Sequence, residues 1–124
     1  MSKILIVAAH PDDEWLGCGG TILKHINEGD EVQVLFVSDG YSSRKDNKTK
    51  TRNDITKKIM NEIGANDPIF LEFPDNMLDT IPLLEIIQKI EGIKSSFNPK
   101  VVYTHFFNDL NIDHKVTCNA VCTA

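Results

Sequence analysis

The sequence predicts an α/β fold, a three-layer Rossmann-like sandwich around a mostly parallel sheet. Three observations carry that expectation. Short apolar runs alternate with longer segments whose apolar residues recur at helical spacing. The first run is continuously apolar, as a strand buried on both faces requires. Each strand-like run then ends in a polar cluster, at the carboxyl edge where open α/β sheets bind ligands.

Lys3–Ala8 is the first strand, bounded by turn signals. A helix follows from about residue 13, with Leu16, Ile22, Leu23 and Ile26 inward, and ends at Gly29. Residues 31–37, rich in valine, form the second strand. The polar stretch SDGYSSRKDNKTKT leads to a helix over about residues 51–63, with Ile55, Ile59 and Ile63 on one face and Gly64 as its stop. Ile69–Phe73 is the third strand, closed by Pro74. Asp79 or Thr80 caps the next helix, with Pro82 in its first turn and Leu83, Ile87, Ile90 and Ile93 inward. Residues 100–103 are the fourth strand. The last helix starts near His114, passes through Val116, Ala120 and Val121, and reaches the chain end without a C-cap signal. Strand–helix alternation implies right-handed crossovers and parallel pairing. Four strands make a small sheet for this architecture, so the expectation is one domain over residues 1–124, truncated at its C-terminus.

The 124 residues are 41% hydrophobic and 25% charged, ordinary for a folded soluble domain, and the net charge of −5 speaks against a general nucleic-acid binder. The apolar run from Ile4 to Ala9 is too short for a membrane helix, and Pro11-Asp12-Asp13 interrupts it before a signal-peptide core could form. A cytoplasmic protein is the expectation. Cys18, Cys118 and Cys122 suggest no disulfide framework; Cys118 and Cys122, one helical turn apart, read as core residues more readily than as metal ligands.

The strand-end clusters are His10-Pro11-Asp12-Asp13-Glu14, Ser38-Asp39-Gly40, Pro74-Asp75-Asn76, and the run from His105 to His114. Taken singly, each has a structural reading. Asp12 or Asp13 could cap a helix with Glu14 at the positive dipole end, Asp113 could cap the last helix, and the others are common turn chemistry. That reading leaves His10 and His114 beside the same acids unexplained. Imidazole plus carboxylate suits zinc or iron(II), and two histidines with one aspartate leave coordination positions open.

AHPDDE directly after the first strand, with a late D-x-[HN]-x-D-H (here Asp109 to His114), resembles the PIG-L (LmbE-like) zinc-dependent de-N-acetylases; FPDN followed by Leu78-Asp79 fits too. The likeness covers essentially the whole chain, and family members are longer at the C-terminus. It implies a Zn2+-dependent hydrolase that removes acetyl from an N-acetylglucosamine-type sugar or glycoconjugate. By the same resemblance His10, Asp13 and His114 hold zinc, Asp12 is the general base, Arg52 lies near the substrate, and Asp75 holds sugar hydroxyls. One position departs. Many relatives have histidine where this chain has Asn111, which can donate to an oxyanion but cannot deliver a proton at neutral pH. Either Asp12 performs both proton transfers or His105 replaces the missing imidazole; His105 as a strand-end residue without a task is equally open.

Other features read less specifically. His25 is placed on the exposed face of the first helix, and Tyr41 and Trp15 either stack on a sugar or cover the sheet edge. Arg44, Lys45, Lys48, Lys50 and Arg52 against Asp46 form either a solvated loop or a gate for an anionic substrate. A homo-oligomer is compatible with the sequence. The competing classes are a phosphoacceptor receiver domain, with Asp75 as acceptor, and an inactive metal-binding fragment of a deacetylase.

Overall fold

The computed structural model describes residues 1–40 and 49–124. Its elements are β1 (Lys3–Ala8), α1 (Asp13–Asn27), β2 (Glu31–Ser38), α2 (Thr49–Ile63), β3 (Ile69–Phe73), a 3-10 turn (Leu78–Thr80), α3 (Leu83–Phe97), β4 (Val101–Tyr103) and α4 (Ile112–Thr123). Tyr41, Arg44, Lys45, Asp46 and Lys48, and the side chain of Lys50, lie outside the described residues, and with them the expected gate.

Among the described residues the strands form one parallel sheet in the order β3-β2-β1-β4. β1 runs beside β2 from the Lys3–Glu31 pair to the Ala8–Phe36 pair, and beside β4 from Ile4–Val101 to Ile6–Tyr103. Side chains alternate across a strand, so β1 and β2 supply both cores. Ile4, Ile6, Val34 and Phe36 pack with Ile22 of α1 and Met60 of α2. Leu5, Val7, Leu35 and Val37 pack with Ile86 and Ile90 of α3 and Ala120 of α4. The result is the expected three-layer sandwich.

Strand order fixes where a ligand can sit. From β1 the chain steps through β2 to β3, then crosses to the far side of β1 to lay down β4. It therefore leaves β1 toward α1 on one face and β4 toward α4 on the other. The loops diverge, and a crevice opens between the carboxyl ends of β1 and β4.

Helix faces are where the structure departs from the sequence expectation. Leu16 is 83% exposed and Leu23 also faces out, because Cys18 (φ −147°, ψ 26°) kinks α1 and re-phases its apolar stripe. α2 starts at Thr49 and buries Thr56 and Met60 while Ile55 is exposed; the Thr56 hydroxyl is satisfied by the Arg52 carbonyl at 3.0 Å. Neither Asp79 nor Thr80 caps α3. The 3-10 turn intervenes, Pro82 takes the N-cap, and Ile86 is buried while Leu83 is exposed. His25 is not on an open face: its Nδ1 lies 2.7 Å from Asp30 Oδ2 and its Nε2 3.0 Å from the Tyr103 hydroxyl. Trp15 packs on the α1/α2 core and over Gly19, where a Cβ would come within 2.9 Å of its ring. Cys118 is buried, as its core reading expects, and Cys122 is exposed.

Phe36, fully buried and stacked on Phe70 at 5.4 Å, and Leu16 provide a contrast. Phe36→Ala is expected to cost about 3–5 kcal/mol and Leu16→Ala about 0.5 kcal/mol or less in urea-unfolding midpoints. A large loss at Leu16 would contradict the re-phased helix.

Candidate metal centre

The crevice is filled from both sides. The β1–α1 turn supplies His10, Asp12, Asp13 and Glu14, and the β4–α4 segment supplies His105, Asp109, Asp113 and His114. Asp13 Oδ2 lies 3.2 Å from His10 Nδ1 and 3.1 Å from His114 Nε2. Donor atoms of these three residues fall within 4.8 Å of one another.

The chemistry of the surroundings fits a divalent cation at that triad. A metal-ligating histidine ordinarily gives its second nitrogen to a carboxylate, which fixes the ring and its tautomer. Here His10 Nε2 is 2.7 Å from Asp113 Oδ2, and His114 Nδ1 is 2.8 Å from Asp109 Oδ2. The neighbouring combinations are already committed elsewhere. His105 Nε2 accepts the Ala9 N–H at 2.9 Å, and Asp113 also accepts the N–H groups of Asn76 (2.7 Å) and Leu78 (3.2 Å).

Burial and charge tune these groups against each other. Burial alone would depress the His10 imidazole, but the Asp13 and Asp113 carboxylates overcome it and raise the pKa to about 9. Burial would raise Asp13, yet its bonds to the His10 side chain and N–H, with the nearby His114, hold it below the usual carboxylate range. Burial lowers His105 to about 4, and neighbouring His114 pushes the same way. Glu14 is lifted to about 7, mainly by burial, with the charges of Asp12 and Asp13 adding to it.

The other sequence-predicted residues gather at the same crevice. Asp75 is buried, 3.1 Å from His10 Nε2, and lines a polar cavity of about 520 Å³ with Asp12, Arg52, Asn76 and Asn111. Gly40 (φ 70°) also lines that cavity, and a Cβ there would sit 2.9 Å from Pro11 Cδ, so the approach requires glycine. Asn111 caps α4, its Oδ1 accepting the His114 N–H at 3.2 Å. Asp113 therefore does not cap that helix. Asp12 occupies the N-cap of α1, but its carboxylate makes no cap bond. His105 stacks on His114 with ring centres 3.9 Å apart, and its Nε2, as an acceptor, carries no proton to give. Asp109 and Asp113, named from sequence only as motif and capping residues, are the carboxylates behind the two histidines. Their signal was there, five and one residues before His114, but their direction was not.

Fold and site together define an α/β sandwich whose switch-point crevice holds a two-histidine, one-carboxylate donor set backed by carboxylates. The chain belongs to the PIG-L family, GlcNAc-PI de-N-acetylase, whose model matches residues 5–124. It is 29% identical to the uncharacterized deacetylase YaiS of Escherichia coli (strain K12), over 98% of this chain and 66% of that protein. It is also 29% identical to a probable N-acetyl-α-D-glucosaminyl L-malate deacetylase 2 of Bacillus cereus, over 98% of this chain and 60% of that one. The conserved protein TT1542 of Thermus thermophilus superposes with a TM-score of 0.84 at 28% identity, over 98% of this chain and 54% of that one. The chain thus spans about half to two-thirds of the length of these proteins. Among the described residues no helix is long and apolar enough to cross a membrane.

Asp109→Asn and Asp113→Asn are each expected to weaken zinc binding about 10–100-fold in chelator competition, without touching a ligand. A cation must displace the His10 proton, so zinc affinity should fall as pH drops below about 9. Unchanged affinity in both variants would remove the carboxylates from the site.

Proposed function

We propose that this chain carries the catalytic centre of a zinc-dependent N-deacetylase acting on an N-acetylglucosamine-type sugar or glycoconjugate. The observation that carries the reading is Asp12 at the rim of a polar cavity beside the His10–Asp13–His114 set. His10, Asp13 and His114 would hold the ion, which when bound supplies Lewis acidity toward water and an amide carbonyl.

The chain's own residues do the rest. Asp12 takes the proton of the attacking water as its oxygen bonds to the acyl carbon. Asp12 then returns that proton to the amide nitrogen as the C–N bond breaks, which releases acetate and the free amine. One carboxylate performs both transfers: Asn111 cannot deliver a proton at neutral pH, and burial keeps His105 neutral with its Nε2 accepting the Ala9 N–H. Arg52 and Asp75 line the same cavity and suit an anionic or hydroxyl-bearing sugar. Support from the family match and from the Bacillus cereus relative runs in the same direction. A phosphoacceptor receiver is not favoured, because the family model and the Bacillus cereus relative are both deacetylases.

Acetate release from N-acetylglucosamine derivatives tests the reading on zinc-loaded protein. Asp12→Asn should retain zinc and lose about 10²–10⁴-fold in kcat, whereas His114→Ala should lose zinc and turnover together. Wild-type protein with stoichiometric zinc and no acetate release from any such substrate would leave the inactive metal-binding reading instead.

A further inference from the structure

The turn that presents Asp12 is held at several points. Asp13 N–H donates to the His10 carbonyl at 3.1 Å, and His10 N–H donates back to Asp13 Oδ2 at 3.0 Å. The Trp15 and Leu16 N–H groups donate to the Asp12 carbonyl at 3.0 and 3.1 Å. Between these anchors Asp12 sits at φ 123°, ψ −27°, backbone that L residues rarely adopt. Such a conformation persists only where its surroundings over-determine it. The Asp12 N–H donates to Glu14 Oε2 at 2.9 Å.

Glu14 is an unusual donor-seeker. It stands on the first turn of α1 yet is only 2% exposed, so its carboxyl is folded back onto the turn rather than left in water. Burying such a group is costly unless its hydrogen bonds are met, and the Asp12 N–H meets one of them. The bond is a capping-box contact moved one residue toward the helix start.

We propose that Glu14 is a positioning residue, which through the Asp12 N–H locks the strained turn that keeps the Asp12 carboxylate at the cavity rim. This rests on the reading of Asp12 as the proton-transfer group. The metal ligands do not depend on it: Asp13 is tied separately to the His10 N–H and to both imidazoles. Losing the Glu14 acceptor should therefore release Asp12 and spare the donor set.

Glu14→Met keeps the volume and removes the carboxyl oxygens, while Glu14→Gln keeps an acceptor. In the full chain, Glu14→Met should bind zinc as wild type does, and the Asp12 amide should lose at least about tenfold in hydrogen-exchange protection. Its kcat for acetate release should fall about 10–100-fold with KM within about twofold, the size expected for a displaced reacting group. Glu14→Gln should recover most of both. In an Asp12→Ala background, Glu14→Met should add less than about threefold, since the two act as one unit. Wild-type protection of the Asp12 amide in Glu14→Met, or an equal loss in the Asp12→Ala background, would overturn the proposal. If wild type releases no acetate, the proposed function fails, and the exchange comparison of the two variants still decides whether Glu14 holds the turn.

Discussion

A wholly buried carboxylate, Asp113, is the constraint on which the crevice depends. One of its oxygens faces His10 Nε2 and the Asn76 N–H, and the other accepts the Leu78 N–H. An unpaired charge in that position would cost several kcal/mol. The structure therefore has to bring the β1–α1 turn, the segment after β3 and the start of α4 to one point. Those segments are far apart along the chain, and the strand order is what lets them meet. Because β4 lies across β1 from β2 and β3, α4 descends on the α3 face with its first turn over the end of β1.

The same arrangement separates the tasks of residues that look alike. Asp12, Asp13 and Glu14 are consecutive acids, yet one lines the polar cavity, one lies between two histidines, and one is buried with a raised pKa. The distinction arises from the backbone. At φ 123° Asp12 reverses the chain, so side chains one residue apart leave in different directions. The histidines divide likewise. His10 and His114 each have one nitrogen on Asp13 and the other on a carboxylate. His105 is held neutral by burial and serves as the platform on which His114 stacks.

Much of this was legible in the order of residues. Alternating strands and helices gave the parallel sandwich, because a six-residue apolar run bounded by turn signals is short for a helix and suits a strand covered on both faces. Placement of His10, Asp13 and His114 at strand and helix ends followed from the same alternation, together with the motif pair at residues 9–14 and 109–114. Helix faces were less legible. Cys18 breaks the phase of α1, and Thr56 enters the core because its hydroxyl bonds the Arg52 carbonyl, neither of which hydrophobic spacing reveals.

What the sequence by itself determined is the inventory: which strands exist, which polar clusters end them, and which residues have the chemistry to hold a cation. Only the tertiary structure decided their partners. Asp113 became the support of His10, and His105 turned its Nε2 to the Ala9 N–H. The reason is physical. A hydrogen bond depends on direction within a few tenths of an ångström, and direction is set by packing between segments remote in sequence. Local pattern places a side chain on an edge; the crossing of β1 by β4 and the descent of α4 determine what it meets there.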